Sequence, residues 1–292
     1  MLLFFPEEEG FARRLAAATG LEAAPIERHR FPDGEIKLRL PERLPEKVVL
    51  LRGLDRPNEK LVELLLASAG LHEAGVRRIV LVAPYFPYLR QDKAFAPGEV
   101  ASAFVVGRFV ASCVEALVTV DPHLHRIARL DEAVPVTPAL ALCAAPLLGE
   151  LAARERGRPL LVGPDEESRA WVEAAAHASG LEYAVGRKER RGDRDVAVTL
   201  PEGLNVRGRA AVVLDDVAST GRTLAQAVRA LRSAGAATVD VAVTHALFVE
   251  DALETVRAAG AGAIWSTDTI AHPTNAVSVA PLIAQALAAL LR

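Results

Sequence analysis

Short, uninterrupted apolar runs recur along the chain, separated by stretches in which apolar residues return every three or four positions. The runs read as strands covered on both faces, and the periodic stretches as helices with one buried stripe. In the first half this pattern predicts strands over Met1–Phe5, Val48–Leu51, Arg78–Val82 and Ala116–Thr119. Helices are expected near Glu9–Thr19, Asn58–Ala74 and Gly98–Ser112. In the second half it predicts strands over Leu160–Val162, Tyr183–Gly186, Asp195–Thr199, Ala211–Leu214, Thr238–Val243 and Ala263–Ser266. Helices near Glu166–Ser179, Thr223–Ala234 and Val249–Ala259 separate most of these. Alternation of this kind implies an α/β chain of βαβ units, with mainly parallel sheets flanked by helices. Pro138 and the small residues around it are the expected divide between two domains, 1–138 and 139–280, with a closing helix over 281–292.

One strand–helix junction carries chemistry on its face. Asp215 and Asp216 follow the apolar run Ala211–Leu214, and Ser219-Thr220-Gly221-Arg222-Thr223 leads into the next helix. Backbone N–H groups and hydroxyls at a helix N-terminus make an anion site suited to a phosphate monoester. A carboxylate pair at the carboxyl end of a strand, where open α/β sheets take ligands, suits sugar hydroxyls just beyond that phosphate. Ile79–Phe95 repeats the order strand, loop, helix without the acid pair or the hydroxyls. The chain therefore reads as a duplication with one degenerate loop.

Composition narrows the partners. Half of the 292 residues are apolar and the net charge is -3, which gives no reason to expect nucleic acid or an anionic membrane as partner. Cys113 and Cys143 lie in apolar contexts without metal-ligand spacing, so reduced core thiols and a cytoplasmic setting are expected. The stretch MLLFFPEEEG lacks the basic region of a signal peptide, and the apolar tail Ala280–Leu291 is too short to span a bilayer.

The Asp215–Thr223 segment resembles the phosphoribosyl-binding loop of the type I phosphoribosyltransferase superfamily, which includes the ribose-phosphate pyrophosphokinases. Five further elements, in the family's order, resemble those of the pyrophosphokinases, archaeal-type members in particular. The resemblance implies two similar phosphoribosyltransferase-like domains, the closing helix packing back on the first. It implies transfer of the diphosphoryl group of ATP, with Mg2+, to the anomeric hydroxyl of ribose 5-phosphate. The products would be 5-phosphoribosyl 1-diphosphate and AMP. Asp215, Asp216, Ser219, Thr220, Gly221, Arg222 and Thr223 would hold ribose 5-phosphate. Phe31, Asp33 and Glu35, presented across a subunit interface, would bind ATP together with Arg90, Gln91 and Asp92. His123 and Asp165 would lie at magnesium, and Lys188 and Arg190 would cover the transferred phosphates. A homodimer or higher homo-oligomer follows from the shared adenine element.

Departures are visible: Ala94 stands where many members have a second basic residue, Gly163 replaces a hydroxyl residue, and Arg222 takes a place often held by glycine. Two other readings stay open on the sequence, a transferase that uses the diphosphorylated ribose as donor and a non-catalytic regulatory subunit.

Overall fold

The computed structural model describes residues 1–190 and 196–291, which divide into two compact units. The first holds Met1–Leu142 and Val279–Arg292, the second Cys143–Ser278. In chain order the first contains β1 (Leu2–Phe4), α1 (Glu9–Thr19), β2 (Ala23–Pro25), β3 (Glu27–Arg30), β4 (Ile36–Arg39), β5 (Lys47–Leu51) and α2 (Pro57–Glu73). It continues through β6 (Arg78–Val82), α3 (Ser102–Cys113), β7 (Ala116–Val120), α4 (Leu130–Ala133) and β8 (Ala139–Leu142). The second contains α5 (Ala145–Arg156), β9 (Leu160–Gly163), α6 (Arg169–Ser179), β10 (Tyr183–Val185), β11 (Arg187–Arg190), β12 (Val196–Thr199) and β13 (Ala210–Ala218). It ends with α7 (Arg222–Ser233), β14 (Thr238–Ala246), α8 (Ala252–Ala258), β15 (Ile264–Thr267) and β16 (Asn275–Val277). Helix α9 (Ala280–Leu290) then belongs to the first unit, where it lies against α1.

Each unit is built on a six-stranded parallel sheet, β2-β1-β5-β6-β7-β8 in one and β10-β9-β13-β14-β15-β16 in the other. Central strands such as β5 and β13 are apolar because helices cover both of their faces, and Val48–Leu51 and Ala211–Leu214 are buried. Where helices approach closely, glycine is required: a Cβ on Gly149 of α5 would stand 2.4 Å from the carbonyl oxygen of Ala175 in α6. Two antiparallel hairpins, β3–β4 and β11–β12, stand apart from the sheets.

The two sheet orders differ by eight strand numbers throughout, so β5 matches β13 and the hairpin β3–β4 matches β11–β12. This corrects the expectation that Ile79–Phe95 is the degenerate copy of the Asp215 loop. Every βαβ unit shows the same apolar strand and following helix, so that pattern sets no register, whereas strand order does. The register is explicit. Leu2 pairs with Ala23 and Val49, and Leu161 pairs with Tyr183 and Val212. Counting on from these pairs, Arg52 stands where Asp215 stands, and Arg28 where Lys188 stands.

Other differences from the sequence reading are local. The divide falls after Leu142, because Pro138 leads directly into β8, an edge strand where proline costs no ladder bond. β13 runs through both acids to Ala218, because β14 extends alongside it to Ala246. Helix α5 was not expected from the pattern. Cys113 is buried, but Cys143, beside the divide, is exposed and is not a core thiol.

Candidate active site

In the second unit, residues at the carboxyl ends of β9 and β13 come together with Lys188 of β11. Asp165 follows β9 and caps the turn Glu166–Ser168, accepting a hydrogen bond from the Glu167 N–H at 3.1 Å. Lys188 on β11 places Nζ 4.0 Å from the Asp165 Oδ2, with the lysine side chain 45 % exposed and the aspartate 14 %. Asp215 and Asp216 lie on β13, half-buried and buried respectively. Burial pushes the Asp215 carboxyl well above the usual aspartate range, and the charges of Asp216 and Asp165 add to the rise. Burial raises Asp165 too, with Glu167 adding and Lys188 opposing. The site thus concentrates negative charge that a cation or a hydroxyl-bearing ligand would relieve.

The loop after β13 is fixed by its neighbours. The carbonyls of Ala218 and Ser219 accept hydrogen bonds from Phe248 and Val249 N–H groups at 2.8 and 3.1 Å. Phe248 in turn stacks on His272, ring centroids 5.1 Å apart. Gly221 adopts φ +70, and a Cβ there would stand 2.8 Å from the Ala252 carbonyl oxygen, so only glycine fits the turn into α7. The opening N–H groups of α7, left over by intrahelical bonding, follow directly. Thr220 and Arg222 are exposed and Ser219 and Thr223 half-buried. Gly186, before β11, and the Arg190 main chain complete this side of the unit; the Arg190 side chain lies outside the described residues.

The first unit holds the other candidates. Phe31, Asp33 and Glu35 form the tip of the β3–β4 hairpin, where Glu35 N–H donates to the Asp33 side chain at 3.1 Å. Phe31 is exposed, with His29 edge-on at 4.6 Å. Arg90 is exposed and Gln91 half-buried, whereas the Asp92 side chain is 1 % exposed and bonded to Arg126 at 2.7 Å. The second Asp92 oxygen has no hydrogen-bond partner among the described residues. Arg126 also lies over the Phe95 ring at 5.3 Å, with Lys93 5.2 Å from the same ring. The sequence reading missed Arg126, 34 residues from its partner, and nothing local to either residue announces the pair. His123, after β7, stacks loosely on His125 at 6.2 Å. Of the two residues expected near magnesium, His123 belongs to the first unit and Asp165 to the second.

Comparison with known proteins decides the family. A family model described as the N-terminal domain of ribose phosphate pyrophosphokinase matches residues 1–115, and a phosphoribosyl transferase domain matches residues 137–257. A ribose-phosphate pyrophosphokinase of Methanopyrus kandleri is 39 % identical over 278 residues, 94 % of each chain. One of Methanosarcina acetivorans is 36 % identical over 284 residues, 97 % of each chain. The chain belongs to the ribose-phosphate pyrophosphokinase family. As a pyrophosphokinase family member it is an enzyme, and the crystal structure of phosphoribosylpyrophosphate synthetase from Mycobacterium smegmatis matches its fold. That match has TM-score 0.82 and 26 % identity, and covers 100 % of this chain and 98 % of the other.

The charge crowding in this pyrophosphokinase has a thermodynamic signature. A carboxyl whose folded-state pKa is raised contributes stability in full below its unfolded value, about 4, and loses it as pH rises through the folded value. Asp215→Asn is therefore expected to melt close to wild type at pH 4 and progressively above it toward pH 8. Thermal scans across that range check this; a difference that does not widen with pH would show that Asp215 ionises at no cost to the fold.

Proposed function

We propose that the enzyme transfers the diphosphoryl group of ATP to the anomeric hydroxyl of ribose 5-phosphate, giving 5-phosphoribosyl 1-diphosphate and AMP. The observation that carries this reading is the convergence of Lys188, Asp165 and Asp215 beside the Ser219–Thr223 loop in one unit. In this reading the loop N–H groups and hydroxyls take the 5-phosphate, and Asp215 and Asp216 accept hydrogen bonds from the ribose hydroxyls. Both reactants are then held in line, which supplies much of the acceleration. Lys188 is a movable point charge on a flexible stem, suited to oxygens on which charge builds during transfer. Arg190 is assigned beside it by position in β11. Phe31, Asp33, Glu35, Arg90, Gln91 and Asp92 are assigned to ATP.

Magnesium fits the acids present. Among the described residues no group of three His, Cys, Asp or Glu side chains is arranged as a metal-ligand set. Magnesium accepts one or two carboxylates and completes its shell with water and substrate phosphates, so Asp165 beside the charge-crowded Asp215 is a suitable donor set. His123 is the first unit's candidate. When bound, the ion neutralises phosphate charge.

We also infer a homo-oligomer in the cytoplasm. Val62, Leu65 and Leu66 of α2 are exposed apolar residues, and Val62 and Leu66 line the same groove as Glu35 of the hairpin. No helix among the described residues is long and apolar enough to cross a membrane.

Purified protein with magnesium, ATP and ribose 5-phosphate is expected to form AMP and a diphosphorylated ribose in equal amounts, resolved by chromatography. ADP in place of AMP would mean ordinary kinase chemistry, and a base-dependent release of pyrophosphate from the diphosphorylated ribose would mean a transferase.

A further inference from the structure

Strand β3 and helix α2 meet through two arginine–glutamate pairs in matched register. Arg28 and Arg30 stand two apart on one face of the strand, and Glu59 and Glu63 one turn apart on the helix. Arg30 reaches Glu59 at 2.6 Å, and Arg28 reaches Glu63 at 2.5 Å. The pairs are unequal. Arg30 and Glu59 are both largely in water, where such contacts contribute little. Glu63 is 1 % exposed, and its other oxygen is bonded to Arg52, equally buried at the end of β5.

Arg52 is held through both terminal nitrogens of its guanidinium, while its Nε has no hydrogen-bond partner among the described residues. It reaches Glu7 at 2.9 Å and Glu8 at 3.0 Å, and its guanidinium lies 4.3 Å over the Phe5 ring. Glu7 closes the circuit by accepting two hydrogen bonds from Arg28, at 3.0 and 3.2 Å. A line of paired charges thus runs from the hairpin, through α2, into the core of the first unit. The hairpin is also attached by Leu38 and Leu40, partly buried, and by Ile26, fully buried just before β3. Strands of four residues are marginal alone, so their pose depends on such attachments. The hairpin and α2 together wall a groove of about 460 Å³ lined by Glu35, Ile36, Arg30, Glu59, Val62 and Glu63.

We infer that Arg28 is a positioning residue for nucleotide binding: clamped between Glu7 and Glu63, it holds the β3–β4 hairpin, with Phe31, Asp33 and Glu35, in one pose against α2. The inference rests on the proposed role of the hairpin in binding ATP. The planar guanidinium fixes orientation as well as distance, because it bonds two carboxylates through a rigid fork. Without the clamp the hairpin samples several poses, and apparent ATP affinity falls by the fraction that remains competent. The contrast with the second unit is informative. At the matching position Lys188 is 45 % exposed and only 4.0 Å from its acid, a cation left movable where Arg28 is locked.

Calorimetric titration with ATP and with ribose 5-phosphate, together with steady-state kinetics, tests this on Arg28→Met, Arg28→Lys and Phe31→Ala. Arg28→Met leaves the Arg52–Glu63–Glu8 contacts in place. It is expected to weaken ATP binding and raise the KM for ATP about tenfold, leaving ribose 5-phosphate binding, kcat and melting temperature near wild type. Arg28→Lys is expected to recover part of the loss. ATP affinity within twofold of wild type in Arg28→Met, with Phe31→Ala weakened, overturns the clamp. Loss of both ligands together with a lowered melting temperature makes Arg28 merely structural and overturns it as well. Unchanged ATP affinity in Phe31→Ala removes instead the reading of the hairpin on which the clamp rests.

Discussion

Lys188→Ala is expected to lower turnover by at least about a thousandfold, roughly 4 kcal/mol of transition-state stabilisation, while ribose 5-phosphate still binds within threefold of wild type. The separation follows from where Lys188 stands. Its side chain is close to half exposed and its contact with Asp165 is long, so truncation removes little packing and an ion pair of small worth. The sugar phosphate is assigned to a different element, the loop between β13 and α7. What is lost is a cation able to meet charge as it builds on the transferred phosphates. Burst and steady-state measurements of AMP, with calorimetry for the sugar phosphate, read both halves. A kcat within tenfold of wild type would take Lys188 out of the chemistry; lost sugar-phosphate binding would make it a ground-state contact.

Gly221→Ala should produce the converse pattern. The backbone there is left-handed, and the added Cβ would stand 2.8 Å from the Ala252 carbonyl oxygen and 3.0 Å from Val256. The obstructing carbonyl lies at the start of α8 and cannot swing aside as a long side chain would, so the loop must shift. Charge-assisted hydrogen bonds weaken steeply with misalignment, and losing two of them at about 1.5–3 kcal/mol each predicts a drop of a hundredfold or more in ribose 5-phosphate affinity. Circular dichroism is expected to stay native, because the change is confined to one turn. Affinity within threefold of wild type, with the fold intact, would mean that the phosphate is held elsewhere.

What the sequence shows well is local. Ala211–Thr223 carries strand, acids, hydroxyls and helix entry within 13 residues, so both its structure and its chemistry are readable in line. The central strands of both sheets announce themselves because full burial demands continuous apolar runs, whereas the edge strands β2, β8 and β16, only partly buried, escaped the pattern. The illegible features are those that depend on a partner far along the chain. Arg52 follows an apolar run and reads as an ordinary exit charge, yet its partners Glu7, Glu8 and Glu63 make it a buried hub. Asp92 reads as a ligand-facing acid in a charged loop, but Arg126 holds one of its oxygens. The duplication was visible while its register was not, because the sign of the charge is reversed at the matched positions Arg52 and Asp215.

Helix α9 gives the order of synthesis an unusual relation to the order of completion. The first unit begins with β1, yet Ile283 and Leu287 of α9 are fully buried parts of it. Every residue of the second unit is translated in between. As the chain emerges from a ribosome, the second unit has all its strands and helices while the first still lacks a wall. The N-terminal unit is thus the last to close, and until residues 279–291 appear its uncovered apolar surface near α1 is a natural client for a chaperone.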